Sequence, residues 1–168
     1  KNGELTFKSA PDYETPGSAA SSNAYSLTVT ATDAGGLTDS TDVTINVSDV
    51  NEAPVININT SINVDENITS VATINVIDDA GDTASWSISG EDASLFNISE
   101  NGELTFKSLP DFETPLGGAN DDSNAYSITV IATDNGGNID TSDVAISVDD
   151  VNEAPVININ TSINVDEN

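Results

Sequence analysis

No histidine and no cysteine occur in these 168 residues, so every side chain able to hold a metal ion must do so through oxygen. Carboxylates dominate that supply: 29 aspartates and glutamates stand against three lysines, Lys1, Lys8 and Lys107, and no arginine, for a formal charge of -26. Oxygen-only shells suit hard cations, and calcium accepts the irregular mixtures of carboxylate, amide and carbonyl that loops supply. The lack of imidazole and thiol removes the usual acid–base and nucleophilic groups near neutral pH. Paired carboxylates can hydrolyse glycosides, but only when two acids face each other across a sugar-lined cleft, and the acids here recur instead in short motifs spaced for metal. No enzyme is expected. Nucleic acid and anionic membranes both need a basic surface, so neither is a partner, and no apolar run reaches the ~18 residues of a membrane span. The charge also serves solubility or high-salt adaptation, since net charge alone does not speak to fold. A cation is the partner that remains.

The acids are arranged around a stretch that occurs twice without change, DVNEAPVININTSINVDEN, from Asp49 to Asn67 and from Asp150 to Asn168. It opens as a Pro-punctuated acidic hinge, Asp49 to Pro54, and continues into an alternating segment, Val55, Ile56, Ile58, Ile62 and Val64, that predicts an edge strand. Likewise KNGELTFKSAPDYETP from Lys1 matches ENGELTFKSLPDFETP from Glu100, and SNAYSLTV from Ser22 matches SNAYSITV from Ser123. The period is about 100 residues, enough for one modest core. Residues 1–50 then read as the trailing half of one repeat, 51–151 as a complete repeat, and 152–168 as the first strand of a third. The chain reads as a window in a longer repetitive polypeptide.

Within the complete repeat the hydrophobic pattern has period two and no helical period. Seven strands are predicted: Val55 to Asp65, Val71 to Ile77, Ala84 to Ser89, Leu95 to Ser99, Glu103 to Lys107, Ala125 to Thr133 and Asp140 to Val148, with turn residues between them. That count and length predict an all-β, seven-stranded immunoglobulin-like Greek-key sandwich. In the sixth strand Tyr126, Ile128, Val130 and Ala132 should face the core, and Ser127, Thr129, Ile131 and Thr133 the other way. Trp86, alternating with Ile88, is expected as the core aromatic rather than as a sugar-stacking platform.

Taken together, the acidic loops and the hinge resemble the cadherin family, in the calcium-dependent form found as tandem repeats in bacterial surface proteins. Asp49, Asn51, Glu52 and Pro54 resemble the interdomain Asp-x-Asn-Asp-x-x-Pro linker, with glutamate for the second aspartate, and Asp150, Asn152 and Glu153 repeat it. Asp65-Glu66-Asn67 resembles the first-strand segment whose glutamate binds calcium, which points to Glu66. Asp12 with Glu14, and Asp111 with Glu113, resemble the Asp-x-Glu element. Asp134, like Asp33 before it, resembles the Ala-x-Asp loop ligand. Where the family carries an Asp-x-Asp pair, this sequence has Asp78, Asp79, Ala80, Gly81 and Asp82, so alanine stands at the second aspartate; Asp78 is the direct match, with Asp79 and Asp82 beside it.

The resemblance implies that the trailing end of one repeat meets the leading loops of the next. At the first junction that would gather Asp12, Glu14, Asp49, Glu52, Asp78 and Asp134, with Asn51 adding an amide. Like charges so gathered repel, and calcium would cancel the charge and fix the angle between two domains that share few other contacts. The function implied is a calcium-rigidified structural and adhesive repeat of a long extracellular or cell-surface protein, with neighbouring repeats as partners and a cell-surface or matrix ligand as target. The alternative is a sandwich that recognises glycan or protein through a face or the 117–124 loop, for which the sequence offers no exposed aromatic cluster.

Overall fold

The computed structural model describes residues 3–79, 82–117 and 123–157. Part of the 117–124 loop, two residues of the predicted turn at 78–82, and residues 158–168 of the third-repeat strand lie outside them. The described strands are β1 Ala24–Thr32, β2 Thr38–Asn46, β3 Val55–Asn57, β4 Ser61–Asp65, β5 Ser70–Thr73, β6 Asn75–Ile77, β7 Ser85–Ser89, β8 Phe96–Ile98, β9 Glu103–Phe106, β10 Ala125–Thr133 and β11 Ile139–Asp149. One sheet runs β4-β11-β10-β7, with β4 parallel to β11 and the other pairs antiparallel. Across from it lie β5-β9-β8 and the short pair β3-β6. The fold is the expected all-β sandwich, with all seven predicted strands present.

Two predicted strands are each broken in two, and the breaks make the sandwich. The segment Val55 to Asp65 pairs first with β6, through β3, and then crosses to β11, through β4. The crossing falls at Asn59, whose Oδ1 accepts the Ser61 N–H at 3.2 Å, while the Thr60 carbonyl accepts the Ala145 N–H at 2.9 Å. Such a side chain-to-backbone turn offers the chain an alternative to the ladder. The strand Val71 to Ile77 breaks at Ile74, which is buried and donates its N–H to the Gly102 carbonyl at 2.8 Å. Gly102 has φ +75, and a Cβ there would run into the Ile74 carbonyl oxygen; only glycine lets the two backbones close up. The fourth predicted strand begins one residue late, because Ala93–Leu95 form a 3-10 turn. Buried Asp92 anchors that turn by accepting the Ser127 N–H at 2.7 Å.

The alternation predicted for β10 holds: Tyr126, Ile128, Val130 and Ala132 are all buried. Val144, Ile146 and Val148 of β11 join them, and Val64, Ile74, Phe96, Leu104 and Phe106 complete the cluster. The aromatic centre, however, is not Trp86. It is Phe96, Phe106 and Tyr126, with ring centroids 4.4 to 6.0 Å apart. Trp86 lies on β7, the edge of its sheet, and covers the cluster from the rim, only partly buried.

The hairpin β1-β2 has the register of β10-β11, Tyr25 opposite Ile45 as Tyr126 is opposite Ile146. It pairs with no other described strand. Its environment therefore differs although its sequence hardly does: Phe106 is 3% exposed, its equivalent Phe7 40%. Truncating a buried phenylalanine costs about 3–5 kcal/mol, whereas surface changes stay within ~0.5 kcal/mol. Phe106→Ala should therefore lower the urea midpoint of the chain sharply and Phe7→Ala hardly at all. Equal effects of the two substitutions would contradict this account of the core.

Candidate metal centre

Three groups of carboxylates converge among the described residues. In the first, Glu14, Asp49, Glu52 and Asp79 each place one oxygen within 4.8 Å of the others. In the second, Glu66, Glu113, Asp150 and Glu153 do the same. Asp78, Asp79 and Asp82 form the third, so Asp79 is shared between two groups.

The first two groups are built by the same local chemistry. In PDYETP the Asp12 carboxylate accepts the Thr15 N–H at 2.7 Å, and in PDFETP Asp111 accepts that of Thr114 at 2.8 Å. Each aspartate thus closes its own turn, and the glutamate two residues on, Glu14 or Glu113, reaches the hinge. Asp12 and Asp111 stand outside the converging groups and position them. The hinge supplies Asp49 with Glu52, or Asp150 with Glu153; Asn152 beside them is exposed.

Each group has a distinct fourth member. Asp79 enters the first from the loop after β6, and its Oδ2 accepts the Glu52 N–H at 3.1 Å. Asp78 turns inward instead: Oδ1 accepts the Asp79 N–H at 3.0 Å, and Oδ2 is buried with no hydrogen-bond partner. Glu66 enters the second from the end of β4 and is 2% exposed. Its two oxygens accept the N–H groups of Phe112 and Val151, each at 2.8 Å, which ties the Asp-x-Glu turn to the hinge. Glu66 therefore stands at the trailing end of its own repeat.

Asp134 and Asn51 are brought to each other rather than into a carboxylate group. The Asn51 amide donates to Asp134 Oδ2 at 2.6 Å and to the Glu52 carbonyl at 2.9 Å. Asn138 completes the lock, its amide donating to the same Asp134 oxygen at 3.0 Å and to the Asn51 and Glu52 carbonyls at 3.2 and 3.1 Å. Asn138 escaped the sequence analysis, where it falls among the turn residues between the sixth and seventh predicted strands; its one sequence signal is that Leu37 stands at the matching place of the first copy. Gly136 belongs to the lock as well, since a Cβ there would press on the Asn51 amide at 2.9 Å.

The electrostatics divide these acids into two kinds. Desolvation and then the carboxylates of Asp79, Glu14 and Asp49 push Glu52 above the ordinary 4.5. Desolvation with Glu66 and Glu113 does the same to Glu153. Glu66 is held low by the N–H groups of Phe112 and Val151. Desolvation opposes ionisation of Asp134, but the Asn51 amide and the donors of Asn138 and Gly137 outweigh it and hold its pKa below 3.8.

No protein-family model matches the chain. Among curated proteins it is similar to human protocadherin Fat 1, 35% identical over 184 aligned residues that take in all of this chain and 4% of that protein. The chain thus spans a small part of that relative's length. Among solved structures it is similar to a protocadherin gammaB7 EC3-6 cis-dimer, 26% identical with a TM-score of 0.55 over 76% of this chain and 33% of the other. A protocadherin gammaB4 extracellular domain aligns at 29% identity and a TM-score of 0.53, over 75% and 20% of the two chains. Drosophila N-cadherin EC1-4 aligns at 26% and 0.52, over 76% and 32%.

The opposite pKa shifts give opposite pH dependences in the metal-free chain. A carboxylate whose folded pKa is raised makes the folded state bind more protons than the unfolded one, so Glu52 and Glu153 disfavour the assembled junction as pH rises from 4.5 through their higher folded values. For Glu66 and Asp134 the sign reverses: their contribution is complete above 4.5 and 3.8 and is lost as pH falls through their lower folded values. Carboxyl resonances should accordingly titrate above the ordinary range for Glu52 and Glu153 and below it for Glu66 and Asp134. Glu52→Gln should stabilise the metal-free chain and Glu66→Gln destabilise it. Four coincident titrations would refute the division.

Proposed function

We propose, from the premise that this chain is built of cadherin-like sandwich domains, that its hinges bind calcium and that the bound ions hold successive repeats of an extracellular adhesive array at a fixed angle. The observation that carries this reading is the duplicated group: two hinges of identical sequence assemble the same trio, Glu14, Asp49 and Glu52 or Glu113, Asp150 and Glu153, each joined by a fourth acid. Among the described residues no cation is one of the groups that shift Glu52 or Glu153. The donor set fits a hard cation with an irregular shell, and the orphaned Asp78 Oδ2 is a buried acceptor such a cation would satisfy.

Related through the repeat, the two groups define one composite site. Glu66, the Asp-x-Glu glutamate and the hinge Asp and Glu would bind from the preceding repeat, and Asp79, with Asp78 and Asp82 beside it, from the following one. Asn51 and Asp134 would fix the hinge backbone, with Asp12 and Asp111 fixing the turn. Calcium when bound supplies positive charge at the centre of this site, and the chain's residues supply its geometry. The domain division follows: 51–151 as one repeat, 1–50 as the trailing half of another, and 152–168 as the opening of a third.

The chain is not an enzyme: the relatives found are cadherins, and the solved ones include extracellular cadherin domains. No helix among the described residues is long and apolar enough to cross a membrane. The near-identity of successive repeats supports the tandem-array form known from bacterial surface proteins, in a long stalk or fibre with a cell-surface or matrix ligand as target.

Calorimetry should show calcium uptake with dissociation constants of about 0.1–1 mM per site, and poor competition by magnesium, which needs a near-octahedral shell. Ion that binds only the folded junction should stabilise it by about 2.7 kcal/mol at 100 dissociation constants. The pair Glu52→Gln and Asp79→Asn should remove uptake at the first hinge alone, and Glu66→Gln should weaken the second. No heat and no rise in melting temperature at several millimolar calcium would reject the proposal.

A further inference from the structure

The dipeptide Asn-Gly occurs three times, at residues 2–3, 101–102 and 135–136. Asn2 lies outside the described residues; Asn101 and Asn135 are both exposed. An asparagine followed by glycine is open to a reaction that needs only water, because glycine has no Cβ to hinder attack of its backbone nitrogen on the asparagine side chain. Whether that nitrogen can attack depends on what holds its N–H, and the fold answers differently at the two places.

At 101–102 the nitrogen is engaged. Gly102 is buried, its N–H donates to the Ser99 carbonyl at 3.0 Å, and its carbonyl accepts the Ile74 N–H at 2.8 Å. At 135–136 it is not: Gly136 is exposed, and its N–H has no acceptor among the described residues. The first copy of this turn shows why. There Asp33 Oδ1 accepts the N–H groups of both Gly35 and Leu37, at 2.8 and 2.9 Å. In the second copy the Asn51 and Asn138 amides donate to Asp134 Oδ2, and the Asn138 N–H donates to Oδ1 at 2.7 Å. The carboxylate that would hold the Gly136 N–H is thus drawn to the hinge. The hinge also requires glycine here, since a Cβ would press on the Asn51 amide. Asn135 is itself held by its side-chain oxygen, which accepts the Thr83 hydroxyl at 3.0 Å. A donor at that oxygen stabilises the negative charge that develops on it when the adjoining carbon is attacked.

We propose that Asn135 is a self-modification site: the chain converts it to aspartate and isoaspartate, and the isoaspartyl form loosens the lock of Asn51, Asp134 and Asn138. The Gly136 nitrogen attacks the side-chain carbonyl carbon of Asn135 and closes a cyclic imide. The side chain's C–N bond breaks, and its nitrogen leaves as ammonia with the proton that Gly136 gives up. Water then adds to either imide carbonyl. Opening at the side-chain carbonyl returns the normal backbone with an aspartate; opening at the backbone carbonyl routes the chain through the side chain and lengthens it by a methylene. Nothing is oxidised or reduced. Both products add a carboxylate next to Asp134, and the longer backbone also displaces Gly136 from the Asn51 amide. Ala34 stands at the matching place of the first copy, so of the two turns only the second can react. This inference does not rest on calcium.

The test incubates the isotope-labelled full chain at mildly alkaline pH without calcium, then maps it by mass spectrometry, with fragmentation separating aspartate from isoaspartate. In the folded chain Asn135 should convert at least about tenfold faster than Asn101, and in concentrated urea the two rates should converge. As isoaspartate accumulates, the side-chain amide resonances of Asn51 and Asn138 should move and exchange faster with solvent, while those of the Phe96, Phe106 and Tyr126 rings stay unchanged. Asn135→Ala should hold the two amides steady through the same incubation. Asn138→Leu, which installs the first copy's residue, should slow conversion at Asn135 by returning the Gly136 N–H to Asp134. Equal rates at Asn101 and Asn135 in the folded chain would overturn the inference, as would faster conversion in the Asn138→Leu chain. So would isoaspartate at residue 135 with the Asn51 and Asn138 amides unmoved.

Discussion

Alternation of apolar and polar residues leaves each half of a sandwich with one face that water disfavours, and closure of that face by the opposite sheet is the constraint on which the rest of this chain depends. Glu103–Phe106 is a strand because β5 and β8 hold it and because Phe96 and Ile74 bury its apolar side; the same residues at 4–7 are not. The aromatic trio of Phe96, Phe106 and Tyr126 draws one ring from each of three strands in both sheets. Its packing therefore fixes the sheets against each other, and with them the loops at either end that carry the acids.

Those loops impose a second, electrostatic constraint that the core does not relieve. A buried carboxylate is tolerable when backbone N–H groups satisfy it, and Glu66 and Asp134 are of that kind: each accepts several donors and joins the hinge to a rigid element. Glu52 and Glu153 are of the other kind. Desolvation first, and then neighbouring carboxylates, disfavour their ionisation. Each junction therefore combines a satisfied acid that sets geometry with a crowded acid that responds to added positive charge. Side by side in the sequence the two kinds are indistinguishable.

That difference marks what could be read in advance. The period-two pattern was enough for the sandwich, for seven strands, and for the buried face of β10, since each depends on residues a few positions apart. The strand breaks at Asn59 and Ile74 were not legible, because they depend on which distant strand each half pairs with. Trp86 misled for a related reason: alternation says which face a residue occupies, not whether its strand is central or at an edge. Among the acids, Asp78 and Asp79 are adjacent, and only the folded loop shows that Asp79 meets Glu52 while Asp78 turns inward. The lock of Asn51, Asp134 and Asn138 joins residues more than 80 positions apart, beyond the reach of any local pattern.

The two copies also show where the chain tolerates change. Leu27 becomes Ile128 and Thr44 becomes Ala145, both on strands where a substitution is felt by one packed layer or by solvent. The hinge and the strand after it are identical over Asp49 to Asn67 and Asp150 to Asn168. Residues there answer to the segments on both sides of them at once. Glu52 must meet Glu14 from the turn before it and Asp79 from the loop after it, and its carbonyl must also face Asn138. Val151 must present its N–H to Glu66 while Glu153 accepts from Asn67. A strand surface can drift when its partner drifts with it, whereas a hinge fitted to both neighbours has no single partner whose change could compensate.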